Sequence, residues 1–369
     1  MKILRPTWAE IDLKNIAHNL NALKAFIGEK IGILAVVKAD AYGHGMMEIA
    51  GLLETMPVRM FGVATLEEGI QLRLAGIKKN VLILGSIYPF TNFKEVVNFN
   101  LTPTIASVAG LESLEKYGLK SGKRIPFHLK IDTGMARIGL SPSTAASVIP
   151  KIKKLRNVFM EGIYTHLACG DIKSSFTKSQ FAEFKNTVKN INTNYKHIAA
   201  SSAIINYDNN YFNLVRPGLL IYGLLPFKNA EKSIPIMPAL SLKTKIVFLK
   251  DVPKNTSVSY GRTFYTKRPS RIATVPIGYA DGFSRCNSNN AFMIVNGNRV
   301  PVVGSVCMDM TMLDVTGVDG VSVGSEVSVI GGQGRERITA EEIAMRCKTI
   351  NYEVVTSISK RVPRVYKHL

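Results

Sequence analysis

An apolar run, Ile33-Leu-Ala-Val-Val37, ends on Lys38, and Ala-Asp-Ala-Tyr-Gly-His-Gly follows it to residue 45. A continuous aliphatic run closed by glycines and leading into an amphipathic segment reads as a buried parallel strand and its βα loop. Lys38 then stands where the strand leaves the core, its stem packed and its amine facing a cavity. Such an amine loses hydration, its pKa falls, and it becomes a competent Schiff-base nucleophile. A lysine at a strand end is commonly only a snorkelling cation, so its companions must carry the argument. Arg137, His166, Ser201 and Arg216 each follow a later apolar run. Ser201-Ser202 and the glycine-opened Arg216-Pro-Gly-Leu219 offer hydroxyl and backbone N–H donors suited to a phosphate. A capped turn is the plainer reading of each alone.

The elements that must position these residues alternate in kind. A short strand at 6–12 is followed by a helix from Leu13 to Ile27. Strands are then expected at 33–38, 61–65, 80–85, 102–106, 126–132, 158–165, 196–201 and 213–216. Helical patterns lie between most of them, as in Glu67–Ala75, Val108–Tyr117, Ser143–Leu155 and Phe176–Ile191. That rhythm predicts an α/β fold with a (β/α)8 barrel, whose chemistry sits in the loops after the strands. The pattern breaks at 226–238, where three prolines and no periodicity suggest a linker. Beyond it come β-rich runs at 242–249, 256–260, 271–277, 291–295, 299–303 and 326–330. Asn296-Gly297 supplies a tight-turn signal, and Thr339 with Glu342 predicts a capping box for a helix at Ala340–Thr349. The expected division is a barrel over 10–232 and a mostly antiparallel β domain over 233–369. The strand around Trp8 is free to join either.

Composition excludes several classes. Hydrophobic content of 46% and charged content of 20% over 369 residues suit a globular protein of two domains. The N-terminal MKILRPTWAEIDL lacks the apolar stretch of an export signal, and no run approaches a membrane span. Cysteines 169, 286, 307 and 347 are scattered without a CxxC pair, so free thiols, a reducing cytoplasm and no structural metal are expected. Net charge is +20, but the cations are dispersed, and the densest cluster, Lys151-Ile-Lys-Lys-Leu-Arg156, reads as a solvated helix end. Nucleic-acid binding and membrane association are therefore not expected.

The motifs, taken together, resemble one family over the whole chain. In order they are KADAYGHG at 38–45, KIDTGMARIG at 130–139, Thr165-His166, HIAASSA at 197–203, VRPG at 215–218, SYGRT at 259–263, IGYADG at 277–282, Cys307-Met308-Asp309 and NYEV at 351–354. This series is similar to that of the bacterial alanine racemases. One departure stands out: Ala200 lies where the family usually has Asn, which removes a donor beside the phosphate.

The resemblance implies a pyridoxal 5'-phosphate enzyme that interconverts L- and D-alanine, supplying D-alanine for peptidoglycan, as a homodimer with shared active sites. It implies that Lys38 holds the cofactor and serves as one base, with Tyr260 of the second subunit as the other. Arg137 and the Met308 N–H would bind the substrate carboxylate, and Lys130 matches a position open to carbamylation. Tyr42, Ser201, Gly218, Leu219 and Tyr352 would hold the phosphate, while Tyr279 and Tyr352 narrow the entrance. Arg216 would face the pyridine nitrogen, and His166 would relay a proton to Tyr260. Being effectively always protonated, Arg216 donates and leaves that nitrogen bare, a weaker electron sink than a carboxylate partner gives. The alternatives are a broader racemase acting on serine, a decarboxylase on the same scaffold, or a cofactor carrier. A decarboxylase calls for a carboxylate where Arg216 stands, and a carrier would lack the second half of the chain.

Overall fold

The computed structural model describes residues 4–207, 212–227, 230 and 233–368. The chain begins with β1 (Thr7–Asp12), whose alternating burial places Thr7, Ala9 and Ile11 inward. Asp12 then accepts from the N–H groups of Lys14 and Asn15 and caps the helix Leu13–Ile27. That helix buries Ile16, Leu20, Leu23 and Ile27 at helical spacing.

Eight short strands pair in parallel and close into a barrel: β2 (Gly32–Val36), β3 (Met60–Val63), β4 (Asn80–Ser86), β5 (Thr102–Ile105), β6 (Ile125–Lys130), β7 (Val158–Tyr164), β8 (Tyr195–Ala200) and β9 (Leu214–Arg216). β9 returns to β2 through Gly32 opposite Leu214 and Ile33 opposite Val215. Several crossover helices start on a hydroxyl cap: Thr65, Ser107, Ser141 and Ser174 each accept from a first-turn N–H. Thr65 and Glu68 form a reciprocal capping box. A helix at Phe93–Asn98 was not expected; six residues are too few to show a period.

Past the barrel come β10 (Leu240–Lys245), β11 (Phe248–Val252), β12 (Ser257–Val258), β13 (Phe264–Tyr265), β14 (Ser270–Val275), β15 (Phe292–Val295), β16 (Asn298–Pro301), β17 (Thr311–Asp314), β18 (Glu326–Gln333), β19 (Glu336–Ile338) and β20 (Arg364–Lys367). The larger sheet runs β16-β15-β18-β10-β1-β20, with β19 paired to β18. Its pairs are antiparallel except β1 with β20. β11, β14 and β17 form a second sheet. The Asn296-Gly297 turn joins β15 to β16 with both residues at positive φ.

Several expectations need correction. The run 242–249 is not one strand, because Ile246 N–H donates to Ser325 and Val247 N–H to Thr274, sending consecutive residues to different sheets. The Ala340 helix ends at Arg346, and its capping box is half-formed. Thr339 accepts from Glu342 N–H, but the Glu342 carboxylate turns instead to Arg299 and Arg346. A further helix, Asn351–Thr356, occupies the NYEV segment. Cys286 and Cys347 are not free thiols. Separated by 61 residues, they are brought to a Cα–Cα distance of 5.4 Å and bonded, while Cys169 and Cys307 are free. Of the expected linker, residues 228, 229, 231 and 232 lie outside the described residues. Among the described residues, no helix is long and apolar enough to cross a membrane.

Candidate active site at the barrel mouth

Lys38 lies just past the C-terminal end of β2 and opens an uncommon turn. Ala39, Asp40, Ala41 and Tyr42 all take left-handed helical angles, with φ between 52° and 55°. For residues with a Cβ this costs about 1–2 kcal/mol each, so surrounding contacts must hold the turn. Glu68 accepts from Ala39 N–H at 2.6 Å and from Ala64 N–H at 2.7 Å, tying the turn to the end of β3. Asp40 Oδ1 accepts from Met46 N–H at 2.8 Å. On the other side the C-terminal region closes in: a Cβ on Gly43 would lie 2.2 Å from the Val355 carbonyl oxygen. Burial lowers the Lys38 pKa, with help from the nearby Arg137 and Arg216 charges and opposition from Glu68. The amine is thereby biased toward its neutral, nucleophilic form.

The predicted phosphate donors converge. Ser201 Oγ accepts from Gly218 N–H at 3.0 Å, which leaves the hydroxyl proton to donate to a ligand. The helix Ser201–Asn206 and the 3₁₀ turn Leu219–Tyr222 both begin there, presenting first-turn N–H groups. Ala200 caps the former without a side-chain bond. Tyr42 is buried between Tyr222 and Tyr352, with ring centroids 5.0 and 5.8 Å away. Burial pushes the Tyr42 phenol up and that of Tyr352 to about 12, so both are proton donors at neutral pH.

Arg216 ends β9 inside the barrel and is buried. Nη1 donates to His197 Nδ1 at 2.8 Å; Nη2 donates to the carbonyls of Thr165 and Ile198 and lies 3.1 Å from His166 Nδ1. Burial, helped by the Arg137 charge and opposed by Tyr164, lowers its pKa to about 10, which still leaves it charged at neutral pH. Its Nε–H has no hydrogen-bond partner among the described residues. His166 is held well below the usual histidine range by burial and by Arg216, so it is neutral. Lys130 is also buried, 4.4 Å above the Tyr164 ring, with a pKa depressed by burial and by Arg216 and Arg137. Arg137 is exposed in a loop organised by Asp132 Oδ1, which accepts from the N–H groups of Gly134, Met135 and Ala136.

Lys38, Tyr42, Arg137, His166, Ser201, Arg216, Gly218, Leu219 and Tyr352 thus come together around the barrel mouth. Tyr260, Tyr279 and Met308 do not join them within one chain. They line a different cavity of the β domain, and no barrel residue lines it. Tyr260 is 74% exposed and Met308 51%. The three share a platform, with Ser305 Oγ donating to the Tyr260 carbonyl and Tyr279 N–H to the Cys307 carbonyl. The Met308 N–H has no partner among the described residues. Glu68, Tyr164 and the side chains of His128 and His197 were missed as site residues. Glu68 left a sequence signal in the capping box begun by Thr65, and His197 in opening the HIAASSA motif.

Residues 11–226 match the family described as alanine racemase, N-terminal domain, and residues 239–366 match alanine racemase, C-terminal domain. Alanine racemase 2 of Caldanaerobacter subterraneus subsp. tengcongensis is 45% identical over 98% of this chain and 95% of its own. The alanine racemase of Halothermothrix orenii is 42% identical over 100% and 98%. Among solved structures, that of Clostridium difficile 630 superposes with a TM-score of 0.93 at 38% identity, covering 99% of this chain and 97% of that one. The Bacillus anthracis enzyme with bound L-Ala-P gives 0.92 at 34%, covering 100% and 96%.

Proposed function

The chain belongs to the alanine racemase family, and from that premise we propose that the barrel mouth binds pyridoxal 5'-phosphate and racemises alanine at a site completed by a second subunit. The observation that carries this reading is the donor set. A phosphate calls for Tyr42, Ser201, Tyr352 and the Leu219 N–H that follows Gly218, and an aldehyde calls for the depressed-pKa amine of Lys38. When bound, the cofactor withdraws electrons from the substrate Cα and makes its proton removable.

What the chain's own residues do follows from their chemistry. Lys38 takes or returns the Cα proton on one side, and Tyr260 of the partner acts on the other. Arg137 and the Met308 N–H, which has no partner among the described residues, bind the substrate carboxylate. Arg216 would offer the ring nitrogen its Nε–H, which has no partner among the described residues. A guanidinium cannot give up its proton at working pH, so that nitrogen is not protonated from it. The Lys130 amine, biased toward its neutral form by burial and by Arg216 and Arg137, suits carbamylation, which would give Arg137 and Arg216 an anionic neighbour. His166 faces Arg216 and would complete the route toward Tyr260. Tyr279 and Tyr352 bound the entrance. We read the chain as a barrel domain, 10–232, and a β domain, 233–369, to whose sheet β1 contributes.

The test is the absorbance spectrum of the purified protein, followed by chiral analysis after incubation with L-alanine. Cofactor absorbance and accumulation of D-alanine are expected. No visible band and no D-isomer after supplying the cofactor would overturn the reading. Serine and carbon dioxide release, assayed beside it, separate the broader racemase and the decarboxylase.

A further inference from the structure

Arg216 is buried with no acid in contact among the described residues, yet its hydrogen bonds lead to one. His197 Nδ1 lies 2.8 Å from Arg216 Nη1, and His197 Nε2 lies 2.8 Å from His128 Nδ1. His128 Nε2 in turn faces Glu161 Oε2 at 3.5 Å. Neither of those last two buried atoms has a hydrogen-bond partner among the described residues, so each is the group the other can turn to. Glu161 Oε1 accepts from Asn80 Nδ2 at 3.3 Å. The line crosses the barrel interior through β9, β8, β6 and β7.

The protons along this line are fixed by its ends. A guanidinium only donates and a carboxylate only accepts. His197 Nδ1 must therefore accept, so its proton is on Nε2 and is donated to His128 Nδ1. The His128 proton is then on Nε2, directed at Glu161. Both imidazoles are fully buried, which keeps them neutral, and both rings are clamped. His197 stacks on Tyr164 at 4.6 Å and 5°, and His128 lies against Tyr195 at 5.9 Å and 27°. Gly162 makes the room: a Cβ there would stand 2.5 Å from His128 Cε1.

We propose that Glu161 and His128 are positioning residues for Arg216, Glu161 being the acceptor-only terminus that holds His197 as an acceptor toward the guanidinium. This rests on the reading of Arg216 as the residue facing the cofactor ring. Without a carboxylate the order can invert. In Glu161→Gln the new amide could donate to His128 Nε2, moving the His128 proton to Nδ1 and the His197 proton to Nδ1. Two donors would then meet at Arg216, pushing it out of place.

The experiment reads the protons directly. Labelling the six histidines with 15N and recording long-range 1H–15N correlations assigns the protonated nitrogen of each ring. In the wild-type protein both His128 and His197 should carry the proton on Nε2; a proton on His197 Nδ1 would overturn the proposal without any variant having to fold. In Glu161→Gln the tautomers should shift toward Nδ1, the pH profile of kcat should move, and kcat should fall about 10-fold, the scale of one hydrogen bond lost behind Arg216. KM for alanine should stay near wild type. Glu161→Asp, still acceptor-only, should restore the wild-type tautomers and most of kcat. Unchanged tautomers and kcat in Glu161→Gln, or equal losses in both variants with tautomers intact, would reject the relay. A wild type with the expected tautomers that binds no cofactor would sink the proposed function and leave the proton order standing.

Discussion

Gly218 sits so close to Tyr42 that no side chain fits between them: a Cβ on Gly218 would lie 2.3 Å from the Tyr42 hydroxyl oxygen. Gly218→Ala should displace the Tyr42 hydroxyl from the phosphate position. Losing one charge-assisted hydrogen bond costs about 1.5–3 kcal/mol, so the Kd for pyridoxal phosphate should rise roughly 10- to 100-fold. Titration of the cofactor-free protein measures it, and an unchanged Kd would remove Tyr42 from the phosphate site.

Lys38→Ala should leave the fold intact, because the turn after it is held by Glu68 and Asp40 rather than by the lysine. Borohydride treatment should no longer fix cofactor on the chain, and activity should drop by at least about 1,000-fold. Cofactor fixed on another lysine in the variant, located by peptide mapping, would contradict the assignment.

Arg216→Glu would place a group that can share a proton with the ring nitrogen where Arg216 cannot. Racemisation should slow, transamination should gain relative to it, and a new long-wavelength absorbance should appear with alanine. Normal racemisation and an unaltered spectrum would mean that this side chain does not face the ring.

The separation of Tyr260 and Met308 from Lys38 within one chain makes subunit sharing measurable. Lys38→Ala and Tyr260→Phe are each expected to be inactive. If the bases come from different subunits, each hybrid dimer has one intact site and one doubly defective site. Random exchange makes half of the dimers hybrid, so activity should return to about a quarter of the wild-type sites. No recovery after exchange has been demonstrated by mass spectrometry would place both bases in one chain.

His44 gives the Lys38 turn a pH dependence. Its Nδ1–H donates to the Tyr42 carbonyl at 2.9 Å, while Nε2 is buried without a partner among the described residues. Burial lowers its pKa from 6.5 to about 4. Above pH 6.5 it is neutral in both folded and unfolded chains and contributes nothing to the slope. Between 6.5 and about 4 only the unfolded chain takes up the proton, so stability falls with pH, by roughly 3 kcal/mol in all. Chemical denaturation across this range should show a shallower loss in His44→Phe than in wild type. Equal slopes would mean that His44 is not buried as a neutral group.

The barrel, the β-rich second half and the residues to watch were all legible in the order of amino acids. Apolar runs of strand length alternating with helical patterns admit few other packings, and Lys38, Ser201 and Arg216 stand at the ends of such runs. Motifs along one chain carry that information because they depend on neighbours in sequence. Other features arise only when distant segments pack together. The left-handed turn at 39–42 contradicts local preference and is imposed by Glu68 from the next loop and by Val355 from the far end of the chain. The pairing of Cys286 with Cys347 and the change of sheet between Ile246 and Val247 depend on which strands become neighbours. The line from Arg216 to Glu161 is drawn from four strands, and no spacing encodes it. Inside a closed barrel, residues distant in sequence share a buried interior, and a low dielectric forces each polar group there to find a partner. That requirement, and not any local pattern, sets the order of protons behind Arg216.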